Sequence, residues 1–167
     1  MEKINLAKAS KITSPNPVAL VCTQKPDGST NIATVSWYTY LSYNPNMIAY
    51  AMAKTSYSGE LVRSNKKVII TIPSENIKEI VMECGMKSGR DTNKIEEFKI
   101  KMQELPTSEI KIPIHSAAAI QCNLKEFIET GDHYLYICNV EEVYANTKEK
   151  AVFAWESYSK IASAKEI

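Results

Sequence analysis

Close cysteine pairs are missing from this sequence of 167 residues. The chain has four cysteines, at positions 22, 84, 122 and 138, and no C-x-x-C pair. Zinc ribbons and thioredoxin-like redox sites need close thiol pairs, and disulfide frameworks belong to short secreted chains rich in cysteine. We therefore expect four buried thiols in a reducing compartment.

An excess of one charge and a long apolar segment are absent too. The chain has 20 Lys plus Arg against 19 Asp plus Glu, a net charge of +1. A binder of duplex nucleic acid usually carries a strongly basic patch, so no nucleic-acid partner is expected. The N-terminus lacks the apolar stretch of a signal peptide, and the longest apolar run, 47–53, is far shorter than a membrane span. We expect a cytoplasmic protein with no membrane partner.

Signatures of several common catalytic folds are also missing. The chain contains no G-x-S-x-G, no P-loop and no G-x-G-x-x-G, which gives no support to an α/β-hydrolase, a P-loop kinase or a Rossmann dehydrogenase. Its composition, 44% hydrophobic and 23% charged, is that of an ordinary globular protein. At this length we expect a single domain over residues 1–167.

The first half of the chain has the pattern of a β meander. Apolar runs predict strands over 18–22, 31–40, 47–53 and 67–72. Turn signals at 25–28 and 44–46 separate the first three of these strands.

The middle of the chain changes to a helical period. Apolar residues at 77, 80, 81 and 84 lie on one helix face, with Ser74 placed to cap the helix and Gly85 placed to end it. A second helix is predicted to begin after Asn93, with residues 95, 98 and 102 on its apolar face, and to end before Pro106.

Strands return in the last third. Alternation predicts a strand over 120–125, a turn at 130–132 and a partner strand over 133–140, prolonged by Val143 and Tyr144. Several strands with short turns and one helical excursion predict a mainly β fold with peripheral helices, a closed or nearly closed antiparallel barrel.

The join after the third strand could bind an anion. Residues 53–61 bring together Lys54, three hydroxyl side chains and the start of a short helix near Ser58. A cation, hydroxyls and the free N–H groups of a helix start form a site suited to phosphate. A plain helix cap explains the same hydroxyls, so the residues alone leave both interpretations open.

Two other segments could contact a ligand. If 33–39 is a strand, Thr34 and Ser36 lie on one face and Val35 and Trp37 on the other. Small hydroxyl residues would let a flat ligand approach the backbone and receive hydrogen bonds, although a wet sheet edge has the same pattern. His133 follows a tight turn, where it could contact a ligand and handle a proton or simply be exposed.

A metal site from the residues at 115, 122, 133 and 138 would lack the usual close ligand pairs, so no metal is expected.

Several motifs follow one another in a distinctive order. They are residues 17–23, Asp27-Gly28, residues 31–37, residues 44–48, residues 54–58, Ser88-Gly89-Arg90-Asp91 with Lys94, and Gly131-Asp132-His133. This order resembles that of the flavin reductase-like, FMN-binding split-barrel proteins, which include the flavoredoxins. The resemblance covers residues 15–143 and implies a homodimer of split barrels, each binding FMN noncovalently near the dimer interface.

The resemblance also implies the cofactor-binding residues. The group expected around the isoalloxazine and ribityl chain is Thr34, Val35, Ser36 and Trp37. The group expected around the phosphate is Lys54, Thr55, Ser56 and Ser58. Ser88 and Gly89 are expected to approach the cofactor, and His133 is expected to orient a nicotinamide hydride donor.

The activity implied by the resemblance is that of an FMN-dependent oxidoreductase of the flavin reductase type. Such a protein passes electrons from NAD(P)H through FMN to an acceptor. One alternative is a flavoredoxin-like electron carrier that is reduced by a redox protein. The other is a noncatalytic module that binds flavin or haem.

Overall fold

Strands make up most of the fold in a computed structural model, which describes residues 1–156 and 158–164. The strands are β1 (Asn16–Pro17), β2 (Ala19–Gln24), β3 (Thr30–Val35), β4 (Tyr38–Tyr43), β5 (Asn46–Ala53), β6 (Lys67–Pro73), β7 (Met102–Leu105), β8 (Ser108–Pro113), β9 (Ser116–Thr130), β10 (His133–Ala145), β11 (Val152–Trp155) and β12 (Lys160–Ser163). The α-helices are α1 (Leu6–Ile12), α2 (Tyr57–Asn65), α3 (Lys78–Met86) and α4 (Lys94–Glu97), and a 3-10 helix spans Glu75–Ile77.

A seven-stranded antiparallel sheet organises the molecule. Its order is β3-β2-β6-β9-β10-β5-β4, and two smaller sheets, β1-β11-β12 and β7-β8, accompany it. The predicted mainly β fold is confirmed, but the predicted meander is wrong. The β2–β3 and β4–β5 hairpins lie at opposite ends of the sheet, because β6, β9 and β10 pair between them.

The strand predicted over 31–40 is two strands. β3 ends at Val35 and pairs with β2, whereas β4 begins at Tyr38 and pairs with β5. The residues between them are held elsewhere: the Ser36 hydroxyl donates to the Pro17 carbonyl at 2.7 Å, and the Trp37 carbonyl accepts from Ala51 N at 2.8 Å. The predicted alternation of faces therefore stops at this break.

The first predicted helix forms with shifted ends. Ser74 caps the 3-10 helix rather than α3, accepting from Asn76 N at 3.2 Å. Gly85 does not end α3, which continues to Met86. A Cβ at Gly85 would lie 3.4 Å from Cβ of Thr34, so this glycine sits where the helix packs closely against β3.

The second predicted helix is mostly wrong. α4 has only four residues, Asn93 makes no side-chain cap, and Lys99 takes a positive φ of 52°. Met102, expected on the helix face, begins β7. The apolar residues nevertheless bury together, since Ile95, Phe98 and Met102 all pack against the same core cluster.

β2 is apolar on both faces because it separates two cores. Ala19 and Val21 belong to one buried cluster, and Leu20 and Cys22 belong to the other. Its continuous apolar run is typical of a strand covered on both sides. All four cysteines are buried free thiols, as predicted.

Tyr50 has a hydroxyl that is buried without a hydrogen-bond partner among the described residues. Its ring stacks on Tyr136, with the ring centroids 5.1 Å apart and the planes 7° from parallel. An unpaired buried hydroxyl destabilises a fold by about 1–3 kcal/mol. We expect Tyr50→Phe to raise the free energy of unfolding by about 1 kcal/mol, measured by urea denaturation.

Tyr136 supplies the matched control for that substitution. Its hydroxyl accepts a hydrogen bond from the Arg63 guanidinium. Tyr136→Phe should therefore lower the free energy of unfolding by about 1 kcal/mol. Equal losses in both variants would contradict this account of the two hydroxyls.

Candidate functional site

A cavity of about 530 Å³ opens at the break between β3 and β4. Three segments form most of its wall, residues 33–37, residues 51–58 without Lys54, and residues 84–89. The remaining wall residues are Ser10, Asn16, Lys94, His133, Ala154 and Tyr158. The end of β3, the β5–α2 join and the end of α3 therefore meet around one space.

Ten of the eleven predicted site residues line this cavity. They are Thr34, Val35, Ser36, Trp37, Thr55, Ser56, Ser58, Ser88, Gly89 and His133. The fold thus brings together residues that lie up to 99 positions apart along the chain. What each of them binds stays a prediction.

Lys54 is the exception, because it is not part of the cavity wall. Its ammonium forms an ion pair with Glu129 and lies 5.7 Å from the ring centroid of Tyr134. Both partners belong to the neighbouring β9–β10 hairpin. This geometry does not support the prediction that Lys54 binds a phosphate.

The join between β5 and α2 contains both a cap and a second hydroxyl. Ser56 is the N-cap of α2, and its Oγ accepts from Gly59 N at 3.3 Å. Ser58 is buried in the first turn, where its Oγ accepts from Nδ2 of Asn31 at 2.7 Å. The first turn of a helix also presents N–H groups without intrahelical acceptors. Capping explains Ser56, while an anion at this helix start remains chemically suitable.

The hydroxyls of Thr34 and Ser36 are already used as donors. Thr34 Oγ1 donates to the Val81 carbonyl, and Ser36 Oγ donates to the Pro17 carbonyl. A hydroxyl carries one proton, so these side chains can only accept from a ligand while those bonds last. The hydrogen-bond donation to a ligand that the sequence suggested for them is therefore not available in this structure.

His133 lies on the cavity wall beside Trp37. The two ring centroids are 4.8 Å apart, and Nδ1 of His133 is 2.7 Å from Oδ1 of Asp132. That hydrogen bond lowers the pKa of the Asp132 carboxyl. Because the carboxylate accepts the Nδ1 proton, Nε2 is the nitrogen left to interact with a ligand.

Lys94 is a cavity residue to which the sequence reasoning assigned no role of its own. It is 4% exposed, and its Nζ donates to the carbonyls of Ile32 at 2.7 Å and Cys84 at 2.6 Å. Burial lowers its pKa, and no carboxylate in the described part of the chain forms an ion pair with it. Lysine is almost never fully buried without a partner. An ammonium has three N–H donors, and the two bonds to carbonyls use two of them, so the third is suited to a negatively charged ligand.

Residues 1–156 and 158–164 contain no group of three or more His, Cys, Asp or Glu residues that could hold a metal ion. His115 instead contacts Glu149, with 2.7 Å between Nδ1 and Oε1. Within those residues, no helix has both the length and the apolar character needed to cross a membrane.

The family model for the flavin reductase like domain matches residues 12–162. The chain belongs to the flavin reductase-like family. The match covers every segment that lines the cavity except Ser10.

Individual relatives are distant in sequence. An uncharacterised protein of Archaeoglobus fulgidus is 25% identical over 115 residues, which is 68% of this chain and 64% of that protein, so the match spans less than two thirds of the relative. A flavin reductase of Pseudomonas putida is 24% identical, over 83% of this chain and 78% of that protein.

A solved structure matches the whole fold. The flavoredoxin of Methanosarcina acetivorans superposes with a TM-score of 0.85 and 16% identity, covering 100% of this chain and 92% of that one. At that identity the likeness concerns the fold alone. It confirms the predicted split barrel.

Proposed function

We propose that this flavin reductase-like chain binds FMN in the cavity and acts as an oxidoreductase of the flavin reductase type. The observation that carries the proposal is the buried Lys94 ammonium, which no carboxylate in the described part of the chain neutralises, on the wall of a cavity that also contains a helix start. FMN has the matching chemistry, since it joins a flat ring system to an anionic phosphate. The named relatives, a flavin reductase and a flavoredoxin, support the same assignment.

The phosphate is assigned to the start of α2. Thr55, Ser56 and Ser58 supply hydroxyl oxygens and N–H groups there, and the helix dipole favours an anion. Lys94 replaces Lys54 as the cation that we assign to the cofactor, because it lies on the cavity wall and forms no ion pair with a carboxylate of the described residues.

The isoalloxazine is assigned to the break between β3 and β4. The N–H groups of Ser36 and Trp37 lie outside both strand ladders, so they are suited to hydrogen-bond a flat ring. Such backbone donors would stabilise negative charge on a reduced ring. Trp37 is 58% exposed and supplies apolar surface at the cavity wall.

When bound, FMN would supply the redox chemistry, accepting hydride from NAD(P)H and passing electrons to an acceptor. The chain's own part is positioning. His133, oriented by Asp132 and packed against Trp37, is our candidate for holding the nicotinamide. Its Nε2 would contact the donor while Nδ1 stays bonded to the carboxylate.

A second function is favoured by the flavoredoxin likeness, namely an FMN electron carrier that a redox protein reduces. Stopped-flow absorbance of the FMN-loaded protein separates the two. Rapid bleaching of the visible flavin band by NADH or NADPH supports the reductase. If dithionite bleaches the flavin band of the FMN-loaded protein but neither NADH nor NADPH does, the protein is the carrier.

We also propose that the chain forms a homodimer through the edge of its sheet. Tyr40, Leu41 and Tyr43 are exposed large side chains on β4, the edge strand next to the cavity, and contiguous exposed apolar surface marks interaction sites. Sedimentation equilibrium should give twice the chain mass of 18.7 kDa. A monomer mass would overturn the dimer.

A further inference from the structure

Asn31 is a buried amide that connects two walls of the cavity. It lies on β3 and is 3% exposed. Its Nδ2 donates to Ser58 Oγ at 2.7 Å and to Thr23 Oγ1 at 3.3 Å. The carboxamide therefore has a fixed orientation, with its amino group bonded toward the start of α2 and toward β2.

The other end of that carboxamide occupies the space beside Gly89. A Cβ built on Gly89 would lie 1.7 Å from Oδ1 of Asn31 and 2.7 Å from its Cγ. The φ of Gly89 is outside the left-handed region, so backbone conformation does not require glycine here. Glycine is required because a side chain at position 89 would collide with the Asn31 carboxamide. The carboxamide could move aside only by breaking its bonds to Ser58 and Thr23.

We infer that Asn31 and Gly89 form a steric lock that sets the spacing between the start of α2 and the turn at 88–90. Asn31 is a positioning residue in this lock, acting on the cofactor through Ser58 and Gly89. The inference rests on the proposed function, since its expected effect is on FMN. Ser58 and Gly89 both line the cavity, and Ser58 is part of the proposed phosphate site.

A second bridge joins the same two elements at the surface and supplies a control. Arg90 Nη2 lies 2.6 Å from Oε2 of Glu60, and the guanidinium lies 4.8 Å from the centroid of the Tyr57 ring. Both members of the ion pair are about half exposed, and such pairs contribute little. Glu60→Gln should therefore leave FMN affinity and thermal stability nearly unchanged.

The test is a double-mutant cycle of wild type, Asn31→Ala, Gly89→Ala and the double variant. We expect each single substitution to weaken FMN binding by about tenfold, the effect of one buried hydrogen bond. In the Asn31→Ala background, Gly89→Ala should add less than about a twofold loss, because the colliding carboxamide is gone. Riboflavin, which lacks the phosphate, should bind all four proteins alike.

Additive losses, or equal losses for riboflavin, would overturn the lock. Melting temperatures without flavin provide the same cycle independently of ligand, and here too Gly89→Ala should be harmful only when Asn31 is present. Wild type that binds no FMN, together with a coupled thermal cycle, would refute the proposed function and leave the steric contact standing. FMN binding by the wild type, together with additive effects in both cycles, would refute the lock and leave the proposed function standing.

Discussion

Replacing Lys94 with methionine is expected to weaken FMN binding by about two orders of magnitude, the effect of removing one partner of a buried charge interaction. The ammonium is buried on the cavity wall and bonded to two carbonyls. No carboxylate among residues 1–156 and 158–164 forms an ion pair with it, so we propose that the cofactor supplies the opposite charge. Fluorescence titration of apoprotein with FMN measures the change.

The pH dependence of binding should identify the same residue. Burial lowers the pKa of Lys94 below its usual range. Only the protonated amine attracts an anion, so FMN affinity should fall as pH rises through that lowered pKa. The fall should be absent in Lys94→Met. Lys54→Met is the matched control, because Lys54 is paired with Glu129 outside the cavity; an equal loss in both variants would contradict the assignment to Lys94.

Alkaline unfolding is the second large effect that we expect. Burial raises the pKa of the Cys22, Cys84 and Cys138 thiols from 9.0 to about 12, and it raises the pKa of Cys122 further. Above pH 9 the unfolded chain loses these protons while the folded chain keeps them. Stability is therefore complete below pH 9 and falls as pH rises toward the folded pKa values.

The loss of stability at high pH should be enough to unfold the protein. Four thiols together contribute a slope of roughly 5 kcal/mol per pH unit, against a total stability of about 5–15 kcal/mol for a typical domain. We expect a cooperative loss of far-UV circular dichroism between about pH 10 and 12. Cys22→Ala should reduce the slope of unfolding free energy against pH by about a quarter. A fold that persists at pH 12 would show that the thiols ionise in place.

The parts of the fold that local patterning determines could be predicted. The β-branched run of β6 and the apolar face of α3 at residues 80, 81 and 84 formed as expected, because the apolar side chains of each pack into the core. The residues on the predicted second helix, Ile95, Phe98 and Met102, can share a core as a helix or as a turn followed by a strand. Periodicity alone does not choose between these, and the chain reverses at Lys99.

Long-range pairing was beyond local patterning. The two residues at the break between β3 and β4 are Ser36 and Trp37, and neither is a glycine or a proline that would predict a break. The break exists because the two strands pair with different partners. The order of the sheet depends likewise on β6, β9 and β10 lying between the two hairpins.

The candidate site also contains residues that local sequence patterns predict and residues that they do not. Residues at the start of a helix or strand, such as Ser56 and His133, could be predicted from sequence because helix starts and tight turns have local signals. Lys94 and Asn31 could not, because a lysine or asparagine is expected at the surface and their burial depends on contacts with Cys84 and Ser58. Lys54 has the right place in the chain, yet its ammonium reaches the β9–β10 hairpin instead of the cavity.

The central claim is that this cavity holds FMN, and the most direct measurement is the visible absorbance of the protein after FMN is added and the unbound flavin is removed by gel filtration. The account predicts a retained flavin band at one FMN per chain, lost in Lys94→Met and kept in Lys54→Met. A colourless protein after incubation with excess FMN would contradict it.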